Sequence, residues 1–234
     1  MAYREHAPPS ELSPWLACTW ERRTGAGAPL RVLPDGCIDV VWTEGADTQI
    51  VGANTTAFLV SLPAGTRVVG ARLRPGAAPS LLGVGAEALC DARVPVQELW
   101  ADWGSRLAGA VDELADPVDG LCAALLVRAA GAQRPDPLVR AAVAGLACPG
   151  VAVASLACEL GVSERQLRRR VSAAVGYGPK RLARVLRLHR ALHGARAGEH
   201  LARVALDAGY ADQAHFTNDC RALAGVPPSE LLMT

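Results

Sequence analysis

Hydrophobic positions change their period part-way along this chain. Up to about Leu73 the apolar residues fall into short, often β-branched runs at 15–21, 30–33, 37–43, 49–53, 57–62 and 66–73, separated by Pro, Gly and Asp. Six such runs predict short strands in an antiparallel sheet curled toward a barrel or sandwich, with Pro34-Asp35-Gly36 as the clearest turn. From Pro79 the spacing lengthens. Leu81 and Leu82, the segment 96–103, and then Leu107, Val111 and Leu114 recur at helical intervals. Asp116-Pro117 opens another helix through Leu121, Leu125 and Leu126. Gly131 and the two prolines Pro135 and Pro137 then oppose helix, so the chain divides into a β-rich and then helical domain at 1–131, a linker at 132–137 and an all-helical domain at 138–234. The fold class expected is α+β.

The last third contains one short device written twice. Ala157 stands four residues before Gly161, and Ala205 four residues before Gly209, with an apolar residue after each glycine and a polar-started helical pattern beyond it. That is the grammar of a helix-turn-helix. The alanine permits a steep helix crossing, the glycine takes the positive φ of the turn, and the second helix is offered to a DNA groove. With Ser163 as N-cap and about 100° per residue, Leu167, Val171 and Ala174 form the inward stripe of the first presented helix, and Arg165, Arg168, Arg169 and Ser172 the outward one. Arginine suits that place because its planar fork donates two hydrogen bonds to guanine O6 and N7. In the second copy Phe216, Cys220 and Leu223 face inward. Ala214, Thr217, Asn218 and Arg221 face away, flanked by Gln213 and His215, with Asp212 a candidate cap. Asp219 would repel DNA if it turned outward.

Charge sharpens this division. The net charge of +1 conceals 13 basic against 8 acidic residues over 136–234, and 11 against 15 before it. Between Ser163 and Arg190 there are nine basic residues and only Glu164 is acidic, a field suited to a polyanion. No apolar run reaches the roughly 20 residues of a membrane span, and the start lacks a signal-peptide stretch, so a cytoplasmic protein with no membrane partner is expected. The seven cysteines include no C-x-x-C pair, and His6 is the only histidine of the first domain; neither a metal nor a cofactor is expected.

The C-terminal region closely resembles the DNA-binding domain of the AraC/XylS family of bacterial transcription regulators. The marks are Gly176-Tyr177-Gly178-Pro179-Lys180-Arg181, the segment 204–216 and the closing Gly225-Val226-Pro227-Pro228-Ser229-Glu230-Leu231. The resemblance implies seven helices in two subdomains joined by a long helix from about Pro179. It places base contacts on Arg165, Arg168 and Arg169, then on Gln213, His215, Thr217 and Asn218; Lys180 and Arg181 join the DNA-contacting set. Arg170 stands where the family usually has an apolar residue, and Cys220 where it usually has a bulky aromatic one. The latter implies a looser second subdomain or an oxidisable cysteine.

The first domain resembles the cupin-like regulatory domain found ahead of such readers in actinobacterial members, on the segments 33–41, 70–76 and 94–100. A curled sheet bearing Trp15, Trp20 and Trp42 either packs them as core or encloses a pocket. In the second case Trp20, Cys37, Asp39, Trp42 and Arg72 are the candidate effector-binding residues. The expected function is a ligand-responsive, sequence-specific transcriptional regulator without catalytic residues. Its expected partners are double-stranded promoter or operator DNA, RNA polymerase, a small-molecule effector and a second copy of the chain as a homodimer. The alternative is a thiol-based redox or alkylation sensor, or a repair-type protein, fused to the same reader. It lacks the Pro-Cys-His-Arg setting of an alkyl-transfer nucleophile.

Overall fold

The computed structural model of the chain describes residues 3–25 and 29–233. Its first domain opens with β1 (Tyr3–His6), a 3-10 turn at Ser10–Leu12, β2 (Leu16–Arg23), β3 (Leu30–Val32), β4 (Ile38–Thr43), β5 (Ala46–Val51), β6 (Phe58–Val60) and β7 (Arg67–Leu73). After them come α1 (Ala78–Leu82), a 3-10 turn at Ala86–Leu89, β8 (Arg93–Pro95), α2 (Val96–Glu113) and α3 (Pro117–Ala129). The strands form an antiparallel six-stranded sheet ordered β1-β2-β7-β4-β5-β8 and a two-stranded ribbon, β3-β6. All six runs expected from the pattern are strands. The two not expected, β1 and β8, lie at the edges of the sheet: β1 is exposed at every position and β8 ends in a proline, so neither carries alternation.

Register assigns the two faces of the sheet. Ile38, Val40, Ile50, Val69, Ala71 and Leu73 are all but inaccessible to solvent and form one face, over which α2 crosses β5 and α3 crosses β7. The other face carries Glu5 and Trp20 on β1 and β2, Gly70 and Arg72 on β7, and Asp39 and Val41 on β4.

The C-terminal region has seven helices: α4 (Pro137–Leu146), α5 (Val153–Glu159), α6 (Glu164–Val175), α7 (Pro179–Arg196), α8 (Leu201–Asp207), α9 (Gln213–Ala224) and α10 (Pro228–Leu231). Asp136 caps α4 by accepting a hydrogen bond from Leu138 N at 2.8 Å, and Pro137 occupies N1. The two regions share one hydrophobic core. Several contacts fasten the first to the second. His189 Nε2 donates to Pro34 O at 2.7 Å, Arg181 Nη1 to Thr55 O at 3.2 Å, Ala57 N to Leu223 O at 2.7 Å and Arg31 Nη1 to Ala224 O at 2.8 Å. The last two satisfy carbonyls at the C-terminus of α9, where a helix leaves acceptors without intrahelical partners.

Candidate nucleic-acid interface

Both turns of the repeated device close in the same way. Gly161 and Gly209 have φ of 67° and 90°, and in each copy the N–H of the residue after the glycine bonds back to the alanine carbonyl. Val162 N donates to Ala157 O at 3.0 Å and Tyr210 N to Ala205 O at 2.8 Å. Ala157 and Ala205 are buried against the following helix, as a close crossing requires.

The helices they present start with strong caps. Ser163 and Gln166 form a capping box at α6, with Gln166 N donating to Ser163 Oγ at 3.2 Å and Ser163 N donating to Gln166 Oε1 at 2.9 Å. At α9, Asp212 accepts from His215 N at 2.7 Å. Leu167, Val171 and Ala174 are buried on α6, and Phe216, Cys220 and Leu223 on α9. Arg165, Arg168 and Arg169 are exposed and make no ion pair among the described residues, and Ser172 is half-buried behind them. On α9, Gln213, Ala214, Thr217, Asn218 and Arg221 line one shallow surface depression. The His215 ring packs edge-on against Tyr210 at 5.1 Å, and its Nδ1 accepts from Ala211 N at 3.4 Å, so it braces the turn before α9.

The remaining arginines of the basic stretch have other partners. Arg170 pairs with Asp136 at 3.5 Å, which accounts for a charged residue where an apolar one was expected: its side chain lies at the surface, and Leu167 and Val171 do the packing. Arg181, expected to contact DNA, bonds through Nη1 to Thr55 O of the first domain. Arg184 and Arg187 converge on Asp219, at 2.5 and 3.3 Å. Tyr210 Oη donates to the same carboxylate at 3.0 Å, while the Arg187 guanidinium lies 4.2 Å from the Tyr210 ring centroid. Arg190 donates to Ala208 O and to Ala147 O, one carbonyl from each half of the domain. Asp219, 5% exposed, faces the protein and not the groove. Burial and then the Asp219 charge push the Tyr210 hydroxyl well above its ordinary pKa, so it stays a donor. These clamps were missed in the sequence, where the only sign was Arg184, Arg187 and Arg190 at three-residue spacing on one helix.

In the first domain four of the five effector candidates come together and one does not. Trp20 Nε1 donates to Asp39 Oδ2 at 3.1 Å, and its indole lies over Gly70, where a Cβ would come within 2.2 Å of the ring. Arg72 reaches Asp39 at 3.4 Å, Asp35 at 3.5 Å and Glu5 at 3.5 Å, with Cys37 beside them. Trp42 pairs in register with Val69 and packs against the core on the opposite face, so it is no part of this cluster. Trp42 and Asp39 are an odd number of residues apart on one strand, a signal available in the sequence.

Burial pushes the Asp39 carboxyl up to about 6 against the pull of Arg72. Because this lies above the value of an unfolded aspartate, folding favours the protonated form. The stability this group contributes is full below about pH 4 and declines as pH rises through about 6. We expect Trp20 emission to titrate near pH 6 as its acceptor ionises, and the step to vanish in Asp39→Asn; the same step in that variant would exclude Asp39 as its origin.

Burial also raises the thiols of Cys18 and Cys220 to about 11, holds Cys37 well above its ordinary range, and raises Cys90 and Cys122. A thiol sensor needs the thiolate, so the thiol-based alternative gains no support from these five. Cys220 is fully buried with its Sγ at 3.3 Å from Val226 O, and the second subdomain closes over it without a bulky aromatic. Among the described residues no helix is long and apolar enough to cross a membrane.

The helix-turn-helix region is also matched by a family model. Residues 156–233 match the family described as "Helix-turn-helix domain", and residues 4–95 match "Domain of unknown function (DUF6597)". No curated protein matches the chain. Among solved structures, an AraC-type DNA-binding domain-containing transcriptional regulator from Chromobacterium violaceum is 25% identical, covering 42% of this chain and 90% of its own, with a TM-score of 0.38. ToxT from Vibrio cholerae is 11% identical over 92% of this chain and 96% of its own, with a TM-score of 0.47. A wild-type ToxT bound to an unsaturated fatty acid is 12% identical over 92% and 93%, with a TM-score of 0.45.

Proposed function

We propose that the chain, whose C-terminal part matches a helix-turn-helix domain and whose N-terminal part matches DUF6597, is a sequence-specific transcriptional regulator of the AraC type whose first domain responds to a small molecule. The observation that carries the DNA-reading half is the contrast between the two outward helix faces. On α6 three arginines stand exposed with their guanidinium groups unused, and on α9 amide, hydroxyl and guanidinium side chains share one surface. One chain then engages two successive major-groove segments about one turn apart, roughly 10 base pairs, without needing a palindrome. The arginine helix supplies most of the affinity and the polar helix most of the discrimination. Ser163, Ser172 and Lys180 border the first contact.

The responsive half rests on Trp20, Cys37, Asp39 and Arg72. Trp20, Asp39 and Arg72 share one sheet face with Cys37 beside them, and the Pro34-Asp35-Gly36 turn that leads into β4 touches α7 through His189 and Leu182. A ligand that draws Arg72 away from Asp35 moves this turn, and with it the helix joining the two readers. The test is fluorescence anisotropy of the full chain on a duplex from its own upstream region and on a shuffled duplex, over a salt series. Tighter binding to the native sequence, falling steeply with salt, is expected. Equal affinity for both duplexes would overturn sequence-specific regulation.

A further inference from the structure

Between the two helix-turn-helix units lies a cleft of about 270 Å³ that the reading helices do not occupy. One wall is the connection from α4 to α5, with Cys148, Pro149, Gly150 and Val151; the floor is α7; and the far wall is the turn at Ala208 and Gly209. Four cationic side chains of α7, Lys180, Arg184, Arg187 and Arg190, line it. Asp219 is the one carboxylate paired with them among the described residues, leaving an excess of positive charge. Arg190 spends its donors on backbone carbonyls and Arg184 and Arg187 share Asp219, but Lys180 is exposed with no partner among the described residues and Arg184 remains partly open to solvent. Arg187 Nε is shielded from solvent and has no acceptor. The backbone N–H groups of Gly150 and Val151 make no hydrogen bond among the described residues.

Spare ammonium, guanidinium and amide donors around a concave space, with one anion for four cations, describe a receptor for a compact oxyanion. Its place in the fold narrows the choice. Lys180 follows the N-cap Gly178, which sits against the Arg168 side chain of α6, and Gly209 closes the turn that leads into α9. The cleft thus lies between the two helix-turn-helix units, with the first turn of α7 on one side and the turn before α9 on the other.

We propose that this cleft is a phosphate-binding site, filled by a backbone phosphate of the bridging DNA or by a free phosphate group; the first source rests on the DNA-binding reading above and the second does not. Lys180 supplies the mobile charge, Arg184 a directed donor, and Gly150 and Val151 the backbone donors.

Two substitutions test it in the full chain. Ala183→Glu places a carboxylate in the cleft while leaving every member of the existing ion pairs in place, and Lys180→Gln removes the unpaired cation. Arg196→Gln, at the far end of α7, is the control. On non-cognate duplex, Lys180→Gln is expected to reduce the slope of log affinity against log salt by about 0.9. Ala183→Glu should weaken binding by about tenfold or more at fixed salt, and Arg196→Gln should do neither. In parallel, inorganic phosphate is titrated into DNA-free protein at constant ionic strength by calorimetry. Changed DNA binding without phosphate heats assigns the site to the DNA backbone. Phosphate heats that Ala183→Glu abolishes assign it to a free phosphate, and they decide the matter even if the chain binds no DNA. Unchanged slopes and no phosphate heats, in variants whose thermal melts match the parent, overturn the proposal. An equal effect of Arg196→Gln overturns it as well.

Discussion

Replacing Asp219 by alanine is expected to destabilise the C-terminal domain by about 3–5 kcal/mol, the range for removing one partner from a buried ion pair. The carboxylate is 5% exposed and accepts from Arg184, Arg187 and Tyr210, residues on α7 and in the turn before α9. Without it the Arg187 guanidinium, largely covered and stacked on Tyr210, is left without its counter-charge, and the Tyr210 hydroxyl loses its acceptor. Arg184 contributes less, because its side chain is 42% exposed and water screens that pair. The loss should appear as a lower denaturant midpoint at nearly unchanged m-value. Asp219→Asn should recover part of it, since the amide oxygen still accepts from Tyr210. A double-mutant cycle with Arg187→Met separates the pair from its surroundings. A midpoint for Asp219→Ala within about 0.5 kcal/mol of the parent, the usual range of surface substitutions, would show that the cluster contributes nothing to holding α9 on α7.

This cluster also marks where the sequence ceases to be legible. The helix-turn-helix units could be read because their determinants are local: an alanine, a glycine four residues later and a polar cap lie within a few residues, and their φ values and hydrogen bonds follow from that spacing. The amphipathic wheels on α6 and α9 were legible for the same reason, down to the buried Leu167 and Phe216. The fate of α7 was not. Its arginines look like a polyanion-binding field in any charge count, yet Arg184 and Arg187 answer a carboxylate more than thirty residues away and Arg181 answers a carbonyl in the other domain. Charge is additive along a sequence, whereas the use of a charge depends on which groups folding brings opposite it. The sheet shows the same limit. Strands with alternating burial could be found, but the pairing of β2 with β7 and of β7 with β4, which gathers Trp20, Arg72 and Asp39, is a property of topology.

The α6 arginines that hold no ion pair among the described residues set the second expectation. Arg168→Ala combined with Arg169→Ala should weaken specific DNA binding by about 2–6 kcal/mol, on a basis of about 1–3 kcal/mol for each good arginine contact to a guanine edge. At 1.4 kcal/mol per decade that is from tens-fold to about ten-thousandfold. Both side chains are exposed and neither holds an ion pair, so the melting temperature should stay that of the parent, and the loss cannot be ascribed to unfolding. The singles separate two kinds of contact. An arginine that reads a base relaxes preference at one operator position, whereas one that holds a phosphate weakens all duplexes alike and lowers the salt slope by about 0.9. Asn218→Ala on α9 gives the comparison. Carrying no charge, it should leave the salt slope intact while eroding discrimination at the second groove segment. If the double arginine variant bound specific and shuffled duplexes as tightly as the parent, α6 would be a solvated helix face and the reading of this domain would have to begin from α9.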